Sequence, residues 1–384
     1  MDKKSLAVLC LIFIVLSFSV SATGALIPTI SKYFKQSPFA SGALVWSYML
    51  SYGVCALLWG PLTRRFSTKS ILLFCLCFFS FSALAVSLAK YLIYAIVGRI
   101  GMGIFGSAFV PVSLIIIGKE IKKEAKSKYV GFLFALSFFA SVMGIFLSGL
   151  ISWRLIYFIP FVLGLLVLVL FNKLLICYDY QDKNKLEISY LKTFRNKNVF
   201  ALVCFIVISS FVYHSIQQWL SVFLSQEKGF GQFKISLFLT ISAFIAIFSE
   251  WIGGNISAKK GPVNVSAFGL FSMSVFLIMI LSFSKMWVFF VVGFWGMGWA
   301  FNHVALSSIL THLPDEFLRD ASSLNSSLRF FSGGLGAFFG GKMISFFGFS
   351  VHFILMSLII VFLALMLIKT KVLLEGGTHA GDNR

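Results

Sequence analysis

The sequence predicts an all-α polytopic membrane protein with twelve transmembrane helices in two pseudo-symmetric six-helix bundles, on three observations: extreme apolar composition, twelve long apolar stretches and an internal repeat. Hydrophobic residues make up 59% of the 384 positions and charged residues only 12%, about half the charge of a soluble domain. The apolar matter is gathered into runs, such as Phe161 to Phe171, rather than spread as stripes, and this excludes an ordinary soluble fold. The formal charge of +19 would suggest nucleic acid in a soluble chain, but membrane topology accounts for it here. The six cysteines are scattered, without pairing or metal-ligand spacing, so no metal and no cofactor is expected.

About 20 mainly apolar residues cross the hydrocarbon core as a helix. The spans read as 5–28, 39–60, 70–89, 92–118, 129–151, 155–176, 198–224, 235–256, 263–284, 286–310, 321–346 and 348–369. The first is too long for the apolar core of a signal peptide and reads as a membrane helix. The repeat is V-G-x-x-G-M-G, at Val97 to Gly103 and again at Val292 to Gly298, an offset of 195 residues; Gly60 to Ser67 echoes Gly254 to Gly261 at an offset of 194. Residues 1–176 then form one bundle, 177–197 a cytoplasmic linker, 198–370 the second bundle and 371–384 a polar cytoplasmic tail. Of the 32 Lys and Arg, 22 fall on the side shared by both termini and 7 on the other. Basic residues collect on the cytoplasmic side, so both termini are expected in the cytoplasm, in a cell (inner) membrane.

Ionisable groups within a bilayer are costly and by default mark a pathway or a coupling. Arg99 shares a helical face with Gly103 and Gly106, where another backbone approaches closely. Glu250 is the one acid deep in a span, on a face with Ala246, Gly253 and Gly254, which suits a proton-coupling carboxylate; the alternative is a hydrated or loop-paired group near the cytoplasmic end of the eighth helix. Ser210, His214, Gln217 and Ser221 form a polar stripe in the seventh span, flanked by Gln218 and Trp219. Such a stripe faces protein or water rather than lipid, through substrate contact or interhelical hydrogen bonds. The same reasoning covers Asn302 and His303 in the tenth span and Asn325 and Arg329 in the eleventh, with Tyr52 as a candidate aromatic lining. Ser17, Ser21 and Gly24, and Ser137 to Ser148, read as packing faces.

Four places carry a family resemblance. Gly60, Leu62, Arg65 and Lys69 resemble the G-x-L-A-D-R-x-G-R-K loop between the second and third helices of the major facilitator superfamily, with Arg64 where the family has Asp. Arg99 with Gly103 and Gly106 resembles its fourth-helix motif, and Trp153-Arg154 with Tyr157-Phe158 its W-R-x-x-F signature. Leu313 to Glu316, through Arg319 and Asn325 into Gly333 to Gly341, is similar to its passage from helix ten into helix eleven. The resemblance is to twelve-helix drug- and sugar-efflux-type permeases. It implies a gating loop at Gly60, Arg64, Arg65 and Lys69 with a counterpart at Gly254 and Lys259, and a cavity-lining seventh helix. It also implies a part for Arg99 in proton relay or anion binding. The antiporter signature of the fifth helix is eroded, with Ile145 in place of Pro and Ser148 in place of Gly.

The expected function is alternating-access transport of a small organic solute, with protons as coupling ion, the lipid bilayer as environment, no nucleic-acid partner and a monomeric state. Proton-linked uptake of an organic anion, or uniport, is the runner-up. An ion channel would show a filter or charge ring and an enzyme a nucleophile or carboxylate pair; neither is visible, and no nucleotide-binding loop is present.

Overall fold

The computed structural model describes residues 3–63, 65–120, 123–174, 194–282, 285–311 and 315–375. Arg64, His312, Leu313 and Pro314, most of the linker and the tail beyond 375 lie outside the described residues. Among those described there are helices and no strand. Two compact units result: Met1–Glu187 with Phe230–Ser236, and Ile188–Gly229 with Leu237–Arg384.

The first unit holds α1 (Lys3–Phe18), α2 (Val20–Phe34), α3 (Pro38–Leu62), α4 (Thr68–Leu88), α5 (Leu92–Gly106), α6 (Phe109–Glu120), α7 (Lys123–Leu147) and α8 (Trp153–Leu174). The starts are set by capping. Ser37 Oγ accepts from the Ala40 amide at 3.1 Å, with Pro38 in the first turn, and Ser67 Oγ accepts from the Ser70 amide at 3.1 Å, each satisfying an orphan donor of its helix. Six spans arise from eight helices because the first breaks at Ser19 and the fourth at Ser107 and Ala108. Ser107 Oγ turns back to the Ile104 carbonyl at 2.7 Å and accepts Trp59 Nε1–H at 2.8 Å, so the break is hydrogen-bonded to α3. Arg154 staples the ends of three spans. It donates to the Ser87 and Ala89 carbonyls and to the Tyr33 hydroxyl, and lies over the Trp153 ring at 4.7 Å. The W-R pair thus has a structural use.

The second unit holds α9 (Lys197–Gln217), α10 (Leu220–Gln226), α11 (Gln232–Lys260) from Leu237 onward, α12 (Pro262–Ser282), α13 (Lys285–Thr311), α14 (Asp315–Lys369) and α15 (Lys371–Glu375). Asn196 caps α9 through the Asn198 and Val199 amides. The seventh span breaks at Gln218 and Trp219, which corrects the expected stripe: Ser221 belongs to α10 and leaves the register of Ser210, His214 and Gln217. The chain beyond the last span continues as the short helix α15.

Among the described residues, eleven stretches are long and apolar enough to cross a membrane. The longest, Leu324–Lys369, has 46 residues and at 1.5 Å per residue would be about twice the hydrocarbon thickness. Gly348 resolves this. Its backbone, φ 78° and ψ 173°, is non-helical, in a region open only to glycine, and it divides α14 into the eleventh and twelfth spans. A Cβ at Gly348 would meet nothing within 4 Å, so Gly348→Ala tests backbone strain alone. It should lower stability by about 1–3 kcal/mol, read as a lower thermal midpoint in detergent. An unchanged midpoint would mean that the two spans do not need this bend.

The bilayer explains the surface. Trp251, Tyr91, Phe346, Phe347 and Phe362 are each more than 60% exposed, a liability for a soluble domain but an ordinary lipid-facing set here. Since lipid is as apolar as Leu, helix association rests on close packing and hydrogen bonds. In the first unit Ser17 bonds Ser137, and Ser141 donates to the Ser17 carbonyl at 3.1 Å. In the second, Ser274 and Ser357 bond at 2.6 Å, and His352 Nε2 meets the Ser215 carbonyl at 2.9 Å.

The structural correspondence between the halves corrects the offset of 195. In each, a serine of the second span lies against a glycine of the fourth and donates to a nearby carbonyl at 3.2 Å: Ser51 with Gly103 and Ile100, Ser242 with Gly296 and Val292. These pairs differ by 191, 192 and 193 residues (242 minus 51, 292 minus 100, 296 minus 103). By contrast Gly298, the partner of Gly103 in the sequence repeat, faces Gly269 and Met273 of α12. Two or three residues turn a helix face by most of a revolution, so the repeated letters serve different neighbours.

Candidate functional site

The polar residues of the second unit converge from four helices. Trp295, Trp299 and His303 lie at i, i+4 and i+8, one face of α13. His303 Nδ1 meets Glu250 Oε1 of α11 at 3.0 Å, with the side chains 31% and 28% exposed. From α14, Arg329 donates Nε–H to Asn325 Oδ1 at 2.6 Å, while its backbone carbonyl accepts from Ser210 Oγ of α9 at 2.8 Å. Tyr213 and His214 follow Ser210 by one turn of α9, the helix that this bond joins to Arg329, and the His303 ring lies 5.7 Å from that of Trp299. The Tyr213 ring is stacked on Trp299 at 3.8 Å, within 10° of parallel, and lies 5.1 Å from the Trp295 centroid. One place therefore combines an acid paired with a histidine, a held guanidinium and a wall of parallel aromatics.

This groups His214, Glu250, His303, Asn325 and Arg329. Three residues of the cluster lie outside the sequence-level candidates: Tyr213, Trp295 and Trp299. Their signal was present, because Tyr213 adjoins the polar stripe and the two tryptophans share the His303 face, but aromatic residues in apolar spans look like any other core. Asn302 and Trp219 belong elsewhere. Asn302 is fully buried and accepts from Ser266 Oγ at 2.7 Å, holding α13 to α12. Trp219 is 2% exposed, with its indole N–H donated to the Ala337 carbonyl at 2.9 Å and its ring against Gly341. The Asn302 oxygen and the Trp219 indole N–H are engaged in helix packing, while Asn302 Nδ2 is buried without a partner among the described residues. Gln217 and Gln218 are half-buried at the break between α9 and α10.

Arg99 in the first unit is 1% exposed. Its Nε–H bonds the Leu44 carbonyl at 2.8 Å, and its guanidinium carbon lies 4.2 Å from the Tyr48 ring centroid and 5.8 Å from that of Tyr157. Tyr157 is anchored in turn by Thr23 at 2.8 Å, and Tyr52 is tilted against Tyr48 at 5.8 Å. Among the described residues no carboxylate pairs with Arg99; the aromatic faces and the carbonyl carry its charge, each such contact contributing about 1–2 kcal/mol when desolvated. Of the gating positions, Gly60, Arg65, Lys69 and Lys259 lie at or beside helix ends and Gly254 lies inside α11, with Arg65 and Lys259 exposed. No group of three or more metal-ligating side chains occurs among the described residues.

Twelve apolar spans in two units with ionisable groups held inside them define a polytopic membrane transporter. Residues 9–337 match the profile of the Major Facilitator Superfamily, and the chain belongs to that superfamily, whose members are transporters. It is 23% identical to a probable sugar efflux transporter of Pasteurella multocida over 83% of this chain and 80% of the relative. It is likewise 23% identical to multidrug resistance protein 3 of Bacillus subtilis, over 76% and 69%. Of solved structures, a bacterial homologue of the human lysosomal transporter Spinster, inward-facing and unoccupied, matches with a TM-score of 0.79 at 16% identity, over 99% of this chain and 98% of that one. A D-xylose–proton symporter matches at 0.77 and 15%, over 95% and 97%. At these identities the structures establish the fold.

Proposed function

We propose that this superfamily transporter moves a small organic solute by alternating access, coupled to protons, as an efflux-type permease. It sits in the cell (inner) membrane as a monomer with both termini cytoplasmic. The observation that carries the coupling is the Glu250–His303 pair at 3.0 Å. A carboxylate and an imidazole within one hydrogen bond, both partly open, can accept and pass on a proton, and ionisable side chains at such depth are retained for function. Arg329, Asn325, His214 and Gln217 then offer polar contacts to the solute, and Tyr213 and Trp299 an apolar wall. Arg99, Tyr52 and Gln218 complete the candidate contacts. The efflux direction draws on the names of the relatives; the basic groups of the cluster favour proton-linked uptake of an organic anion as the second reading.

The test is reconstitution in liposomes loaded with a pH-sensitive dye, challenged with pooled anions, sugars, amino acids and lipophilic cations. The expected result is proton flux dependent on one pool, its direction separating antiport from symport. Solute movement without proton movement would replace coupling by uniport.

A further inference from the structure

Arg329 is held but not used up. Asn325 takes the Nε–H, while Nη1 and Nη2 are both buried and have no hydrogen-bond acceptor among the described residues. His214 Nδ1, one turn along α9 from the Ser210 that bonds the Arg329 carbonyl, is buried and unpartnered as well. Glu250 does not supply the missing acceptor: its Oε1 pairs with His303, and neither Nη of Arg329 has a partner among the described residues. Unpaired buried donors are costly, and an arginine in the bilayer more so, so this edge is either a structural fault or a receptor. Its shape favours a receptor: the Nη1/Nη2 edge of a guanidinium is a planar fork that matches two oxygens of one oxyanion, and the Asn325 bond fixes the plane. One guanidinium neutralises one negative charge, so the fork suits a monoanion better than a dianion. The parallel rings of Tyr213 and Trp299, with His214 5.0 Å from Tyr213, offer a flat apolar wall to whatever body the oxyanion carries.

We infer that the solute is a monocarboxylate with a flat or apolar body, its carboxylate bidentate on Arg329 Nη1 and Nη2 beside His214 and its body against Tyr213 and Trp299. The inference rests on reading the cluster as the solute site and adds the chemical class that the site takes.

Titration calorimetry in detergent with matched probes decides it. On the unaltered protein, phenylacetate and benzoate bind, while phenylacetamide, benzamide and phenyl phosphate bind at least about tenfold more weakly, as loss of a charge-assisted pair requires. Arg329→Lys, which keeps the charge and removes the fork, weakens phenylacetate by a similar factor, and Arg329→Gln removes binding. Equal binding of acid and amide, tighter binding of the phosphate, or no binding of either acid overturns the inference on the unaltered protein alone, whether or not a variant folds. Glucose binding without acid binding would do the same while leaving proton-coupled transport intact. Failure of that broader reading is recognised separately, as solute movement without proton movement.

Discussion

Glu250→Gln is expected to reduce solute-dependent proton flux in liposomes to the level of protein-free vesicles, while solute binding and solute–solute exchange persist. Glutamine has the same shape and can still bond His303 Nδ1 across the 3.0 Å contact, but it can neither take up nor release a proton. The change therefore removes charge chemistry and spares packing. His303→Gln separates the partners: if the acid alone carries the proton, flux falls only in part, and if the proton passes between the two, it falls as far as in Glu250→Gln. Proton flux undiminished in Glu250→Gln would place coupling elsewhere and leave the pair a structural contact between α11 and α13. A carboxylate held only for structure should instead show its loss as instability, which thermal unfolding of the same variant measures.

The sequence made the fold legible because the bilayer imposes it: a stretch of about 20 apolar residues has few other solutions. Where the reading slipped, the cause was local backbone chemistry. Ser107 and Ala108 interrupt an apolar run, and the letters that mark the break are Gly106, Ser107 and Pro111, whose missing N–H leaves the Ser107 carbonyl without its helical donor. The repeat showed that there are two halves but misaligned them, since V-G-x-x-G-M-G records glycine content while the facing neighbours are set by helical phase. At the site, Glu250, His303 and Arg329 stood out because charges are scarce in spans. That Glu250 pairs with His303 rather than Arg329, and that Tyr213 lies against two tryptophans, depends on how α9, α11, α13 and α14 are rotated. Spacing within one helix does not report that.

The rotation is fixed by a few places where backbones nearly touch, and these give the second large effect. Gly144 of α7 lies against the Phe18 carbonyl at the end of α1, with the Phe18 carbonyl carbon 2.9 Å from where a Cβ would stand. Gly336 of α14 lies in the same way against Phe211 of α9, again with the carbonyl carbon at 2.9 Å. The two sites are related by the structural offset (336 minus 144 is 192; 211 minus 18 is 193), so each half brings its fifth span onto its first over a glycine, and in the second half Gly340 adds an approach against Ser215. Both obstructing groups are backbone and cannot escape by changing rotamer. The single methyl of Gly144→Ala or Gly336→Ala must push the helices apart and break neighbouring contacts such as Ser141 to Ser17 and Ser210 to Arg329. Each substitution is expected to cost about 2–3 kcal/mol, the upper part of the overpacking range, seen as a lower thermal midpoint and aggregation on gel filtration. Gly131, exposed on the same α7 with nothing within 4 Å of its Cβ position, is the control: Gly131→Ala should be neutral or stabilising by up to about 1 kcal/mol, from helix propensity alone. Equal behaviour of Gly131→Ala and Gly144→Ala would show that α1 and α7 do not pack at this distance. Because Ser210 bonds the carbonyl of Arg329 itself, Gly336→Ala should also weaken solute binding in whatever fraction still folds. Gly144→Ala, in the other unit, leaves the setting of Arg329 unchanged and should lower yield without that loss of affinity.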